Sequence, residues 1–211
     1  NGKGVSVVDP HGELAETELG SIPESRIKDV SYFNPDDLKY PIGLNVLELT
    51  PDLDQEDTLR EKEFSAESVI SLFRKVFSDS MVGNPHRIEY ILRNTIHTAF
   101  TVENRTLFTI FDLLNDPIFQ KKVVVKLKDE NLRNFWKNEF GKAGDFQKVK
   151  MISPITSRIG RFLFSPSAKR ILEQTKSTIN FDEIMNSGKI LVCNFSKGRL
   201  GEDTSQVLGI M

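Results

Sequence analysis

The chain has 211 residues, 38% of them hydrophobic and 27% charged. That composition suits a globular domain with a real core and excludes a disordered or collagen-like chain. No apolar run reaches the length of a membrane span, no secretory signal is visible, and the single cysteine, Cys193, excludes a disulfide scaffold or a Cys-based metal site.

The lone cysteine fits a reducing compartment, and the scattered histidines (His11, His86, His97) form no zinc pattern. The net charge of −2 hides an asymmetry. Residues 1–63 carry 6 basic and 15 acidic side chains, whereas residues 64–211 carry 22 and 15. The later part is mildly basic, which permits nucleic-acid contact and equally suits an ordinary solvated surface.

In chain order, Gly4-Val5-Ser6-Val7-Val8 is rich in β-branched residues and stops at Asp9-Pro10-His11-Gly12-Glu13. It predicts a buried strand followed by a loop. Glu13 to Leu19 predicts a short helix closed by Gly20. Asp29 to Phe33 alternates like a strand and ends at the turn signal Asn34-Pro35-Asp36-Asp37. Tyr40 to Asn45 reads as extended chain. Residues 52–63 are acidic and nearly free of apolar side chains, which predicts an exposed linker and a domain boundary.

From Phe64 to about Lys150 the period becomes helical. Val69, Ile70, Leu72, Phe73, Val76 and Phe77 share one face behind a Ser65 cap. Asn84-Pro85 opens a second helix with Ile88, Ile91, Leu92, Ile96, Ala99 and Phe100 inward. Thr106 caps a third, stopped at Asn115-Asp116-Pro117, and shorter helices follow over 118–127 and 130–140. Phe135, Trp136 and Phe140 can stack nucleobases, but their helical spacing among apolar neighbours favours a core. Residues 155–164 and 168–173 are again helical, with a turn over 181–185. Lys189 to Phe195 is a second buried strand, followed by the polar loop 196–203 and a helix from about Thr204 with Val207, Leu208 and Met211 inward.

Strand, helical block, strand predicts an α/β core carrying an all-α insertion, divided at 63/64 and 150/151. Both polar loops should then lie at the carboxyl ends of the strands, where ligands bind in open α/β sheets. Asp9 there can bind Mg²⁺, orient a water, or simply cap local backbone N–H groups. Gly12 permits close backbone approach to a ligand, Glu13 supplies a second carboxylate, and His11 can donate to a phosphate or to backbone. In the second loop Asn194, Ser196, Lys197 and Gly198 emerge together. Lys197 can contact a phosphate, and Arg199 can reach a neighbouring subunit. The Arg158–Phe162 basic patch can touch DNA phosphates or simply face solvent. No G-x-x-x-x-G-K-[ST] loop and no apolar strand ending in Asp-Glu occurs, so these residues alone should not bind and split a nucleotide.

The runs G-V-S-V-V-D-P-H-G-E-L, I-P-E-S-R-I-K-D-V-S-Y-F-N-P-D-D and Y-P-I-G-L-N-V-L-E resemble P-loop ATPases of the HerA/FtsK superfamily. So do S-P-I-T-S-R-I-G-R-F-L and G-K-I-L-V-C-N-F-S-K-G-R-L-G-E-D-T-S-Q-V-L-G. The nearest branch is the TraG/TraD-like coupling proteins of type IV secretion and conjugation. Val46 and Phe195 depart from that branch, which commonly has proline and leucine there. The resemblance implies a RecA-like core with an all-α insertion. It also implies that the chain is an internal fragment, with Walker A before it and Walker B after it. It implies ATP and Mg²⁺ as cofactors and nonspecific DNA as substrate. The oligomer would be a hexameric ring, with relaxosome or secretion-channel proteins as possible partners. The location would be cytoplasmic or at the inner membrane through an outside segment. On this resemblance Asp9 and Glu13 are catalytic, Asp9 also binds metal, and His11, Gly12, Asn194, Lys197 and Gly198 contact the nucleotide. A HerA-type repair or chromosome translocase, and an adaptor whose helical block recognises proteins, are the alternatives.

Overall fold

A computed structural model describes residues 4–77 and 85–210. The chain divides into two compact units, one comprising Asn1–Leu44 and Phe164–Met211, the other Asn45–Leu163.

The first unit is mixed α/β. Strands β1 (Val5–Asp9), β2 (Val30–Phe33) and β3 (Ile190–Asn194) form a parallel sheet in the order β1-β3-β2. Parallel neighbours cannot be joined by a tight turn. Helix α1 (Glu13–Gly20) and a 3₁₀ segment, Glu24–Asp29, therefore carry the chain from β1 to β2, past the position that β3 fills. Arg26 pairs with Asp29 at 2.8 Å and donates to the Gly188 carbonyl at 2.6 Å, tying that crossover to the entrance of β3.

Central β3 has all five residues buried, as its unbroken apolar run predicts. β1 does not behave as expected. Val5 and Val8 are 51% and 56% exposed, because β3 is the only strand that β1 pairs with among the described residues. A β-branched run signals a strand, but which slot in the sheet it takes is a tertiary outcome.

Side-chain alternation divides the sheet into two faces. Ile190, Val192, Val30 and Tyr32 pack with Ala15 and Leu19 of α1 and with Ile22. Phe33, paired with Cys193, belongs to the other face, where its ring meets Phe195 edge-to-face at 5.2 Å. Helix α11, the last in the chain (Glu202–Ile210), lies there: Ser205 donates to the Phe195 carbonyl, and a Cβ on Gly209 would stand 3.6 Å from the Phe195 ring. Val207 and Leu208 of this helix are buried as predicted, and Met211 lies outside the described residues.

The second unit is helical: α2 (Gln55–Phe77), α3 (Pro85–Ala99), α4 (Leu107–Asn115), α5 (Pro117–Lys126), α6 (Glu130–Asn134), a π-helical turn Phe135–Phe140, and α7 (Asp145–Leu163). The acidic stretch read as a linker is instead the first turns of α2. Asp54 accepts from the Asp57 N–H at 2.8 Å, Glu56 and Asp57 sit where the helix dipole favours anions, and Arg60 pairs with both of them. Ser65 is consequently mid-helix and not a cap. The unit also begins earlier than predicted, since Asn45 and Leu47 are tied to Arg105 by hydrogen bonds of 2.9 Å.

The predicted apolar faces of α2 and α3 are buried wherever they are described; the side chains of Val76, Phe77, Arg158 and Phe162, and the expected Asn84 cap, lie outside the described residues. Thr106 and Thr109 form a reciprocal cap at the start of α4. Phe135, Trp136 and Phe140 pack on one another at 2–3% exposure, which rules out base stacking by these rings. Between β2 and β3 the α/β unit also holds α8 (Pro166–Leu172) and α9 (Phe181–Asn186), and the short α10 (Lys197–Leu200) precedes α11. Among the described residues no helix is long and apolar enough to cross a membrane.

Trp136 donates its indole N–H to the Thr98 hydroxyl at 2.7 Å inside this core. Trp136→Phe should lower stability by about 1–3 kcal/mol, from the lost bond and the smaller ring. Urea unfolding followed by far-UV circular dichroism checks this, and an unchanged midpoint would show that the bond contributes nothing.

Candidate functional site

The two polar loops meet at the carboxyl end of the sheet. Register pairs Asp9 with Asn194, the Phe195 N–H donates to the Asp9 carbonyl at 2.8 Å, and the Lys197 N–H donates to the Pro10 carbonyl at 3.2 Å. The sheet ladder thus continues past the strand ends. From this junction α1 turns onto one face and α11 onto the other. That divergence between adjacent parallel strands is the topological switch point at which open α/β sheets bind ligands.

Asp9 forms the floor of the junction at 3% exposure. Its Oδ1 accepts from the His11 N–H at 2.8 Å and its Oδ2 from the Ala15 N–H at 2.9 Å. Burial by itself would raise this carboxyl. Backbone donors from Ala15, His11, Gly12 and Leu14 outweigh it and hold the pKa below the ordinary carboxylate value. The capping alternative is therefore the role this geometry gives Asp9. It closes the β1–α1 turn with a charged acceptor, and both of its oxygens are already occupied.

Gly12 begins α1 at φ +97°, in the left-handed region. A Cβ there would stand 3.1 Å from Asn194 Oδ1 and 3.2 Å from Ser196 Cβ. Its bareness serves the approach of the second loop as well as the turn. Asn194, also 3% exposed, donates to the Tyr32 hydroxyl at 3.2 Å and accepts from the Ser196 N–H at 3.3 Å. Tyr32 was not singled out in the sequence. Its only signal was its place in a strand that ends at the same turn-rich edge.

Asp9, Gly12 and Asn194 are thus one buried assembly, and His11, Glu13, Lys197 and Gly198 are exposed on the same two loops. Arg199 is engaged within its own unit, 3.7 Å from both Glu16 and Asp36. These contacts are exposed and each is worth little, but they link α1, the β2 turn and α10. Burial pushes the Cys193 thiol up to about 11, so it is a core residue and not a nucleophile.

The fit to Mg²⁺ is poor. Among the described residues no group of three or more His, Cys, Asp or Glu side chains could hold a metal ion, and the one buried carboxylate accepts from backbone. Direct coordination by Asp9 would compete with the bonds that close its turn. The exposed Lys197 and His11 suit an anionic group better, whereas Glu13 and Glu16 in the first turn of α1 disfavour an anion there. No family model, curated protein or solved structure matches the chain.

Two outcomes follow from this geometry. Because the Asp9 pKa is lowered on folding, its contribution is fully present above the unfolded value of about 3.9 and is lost as pH falls below it. Asp9→Asn should cost about 1–3 kcal/mol at pH 7, and the gap to the wild type should shrink towards pH 3. Urea midpoints across that range test it; a gap independent of pH would show that the charge does not hold the turn. Gly12→Ala should cost roughly 1–3 kcal/mol through its left-handed backbone and the blocked approach of Asn194, read as a lowered thermal midpoint.

Proposed function

We propose that this chain is part of an ATP-driven DNA-translocating motor with a RecA-like core, of the TraG/TraD-like kind used in type IV secretion and conjugation. One observation carries the reading. Two polar loops, read in the sequence as a pair, are hydrogen-bonded side by side at a switch point of a parallel sheet, and an all-α unit is inserted between them in sequence. A repeat of unrelated strand-and-turn signals would not bring Asp9 opposite Asn194.

In this reading the buried Asp9, Gly12 and Asn194 are positioning residues. They hold the exposed loops in one arrangement, so that Lys197 and His11 face the phosphates without reorganisation. Lys197 supplies an exposed cation on a loop whose backbone is pinned to Pro10. The nucleotide-cradling loop and the acid that activates water belong to segments outside these residues. The chain by itself would be inactive, and the motor would be a ring of copies, expected to be hexameric, that grips DNA phosphates without sequence preference.

DNA-stimulated ATP hydrolysis by the longer polypeptide that carries these residues is the direct test. Lys197→Ala should lower kcat/KM for ATP about tenfold, as expected for one charge-assisted bond of roughly 1.5 kcal/mol. The thermal midpoint should stay unchanged, because the side chain is exposed. Absence of DNA-stimulated hydrolysis would sink the motor; normal turnover in the variant would remove Lys197 from the site.

A further inference from the structure

The helical unit is divided by charge. Residues 45–116 carry 7 basic and 13 acidic side chains, whereas residues 117–163 carry 11 basic and 4 acidic. The two parts also differ in how their charges are used. In the acidic part three of the five arginines pair with carboxylates: Arg60 with Glu56 and Asp57, Arg74 with Glu89, Arg93 with Glu67 and Glu89. In the basic part the acids are already taken. Asp129 caps α6, Glu130 pairs with Arg133, Glu139 accepts from the Tyr90 hydroxyl, and Asp145 opens α7. Among the described residues, Glu130–Arg133 is the sole ion pair within 117–163.

The excess is densest on α5. Lys121, Lys122, Lys126 and Lys128 fall within eight residues, all exposed, with no acid among them. The helix is held by the Asp116 cap and by buried Val124, with Leu127 buried just after its end. Its outward side carries Ile118, Lys121, Lys122 and Val125 at i, i+3, i+4 and i+7, which is one stripe of a helix. Ile118 and Val125 are 69% and 72% exposed. Lys126 and Lys128 complement the carboxyl end of the helix dipole. Lys121 and Lys122 have no such local role, and among the described residues neither makes an ion pair.

We propose that this stripe of α5 binds the phosphate backbone of duplex nucleic acid, without reading sequence. Lys121, Lys122 and Lys126 span a rise of about 8 Å along α5 and can meet about two consecutive phosphates of one strand. Lysine is a point charge on a flexible stem, which suits a backbone contact more than bidentate base recognition. The stripe itself carries no aromatic ring, Phe135, Trp136 and Phe140 are buried, and the exposed Phe146 stands on α7, so this stripe offers no platform for single-strand stacking. Ile118 and Val125 flank the lysine stems and can lie against the sugars. This surface belongs to the helical unit and not to the strand-end site, and it requires no nucleotide hydrolysis.

The test uses the whole 211-residue chain and a fluorescent 20-base-pair duplex of arbitrary sequence, with anisotropy titrations from 50 to 200 mM salt. The unmodified chain should bind with a steep salt dependence. Lys121→Gln/Lys122→Gln should flatten the log–log slope by about 2, one phosphate per lysine, with unchanged circular dichroism. Lys121→Arg/Lys122→Arg should keep both slope and affinity, and Lys28→Gln/Lys176→Gln in the α/β unit should behave as the wild type. No duplex binding at 50 mM salt, or equal slopes for the two glutamine variants, would overturn the proposal. So would a loss of self-association in Lys121→Gln/Lys122→Gln with duplex binding intact, which would make the stripe a contact between copies. Duplex binding in a polypeptide without ATPase activity would leave this inference standing and remove the motor reading.

Discussion

Parallel pairing of β1 with β3 is the constraint on which the α/β unit depends. The two strands are far apart in sequence, and the helical unit lies between them. Their pairing therefore carries a large loop-closure cost, which must be offset by contacts made on arrival. Those contacts are visible. β3 is buried on both faces, Arg26 clamps its entrance, and the loop after it is hydrogen-bonded to Asp9 and Pro10. The same bonds that end the sheet also assemble the candidate site.

This double use explains the chemistry of Asp9. A carboxylate at a strand end is a natural metal ligand only if its lone pairs are free. Here the chain turns sharply into α1, and the first backbone N–H groups of a helix need acceptors. Asp9 supplies them, keeps its charge despite burial, and so stays ionised through the neutral range. Gly12 completes the turn by removing the one side chain that would separate the loops. The floor is buried and hydrogen-bonded, and the groups able to meet a ligand stand on the exposed rim.

Much of this was legible in the sequence. The three strands, the helical block and the pairing of the two polar loops follow from period and from turn residues, because those signals are local. The acidic stretch at 52–63 was misread because low apolar content looks like a linker. Its acids in fact suit a helix start, and its Glu/Asp–Arg spacing stabilises one. The buried reading of Val5 to Val8 failed for the opposite reason. The residues are right for a strand, and exposure depends on whether a second neighbour exists.

Composition and pattern determined by themselves that the chain is α/β with an all-α insertion, that one helix begins at Thr106 and stops at Asn115-Asp116-Pro117, and that its polar loops follow strands. Those properties come from dihedral preference, capping and periodicity within a few residues. Only the tertiary structure decided that β3 enters between β1 and β2, that Asp9 is an acceptor for its own turn, and that Lys121 and Lys122 have no acid among the described residues to answer them. Each depends on which distant groups arrive alongside, and distance in space is not written in neighbouring residues.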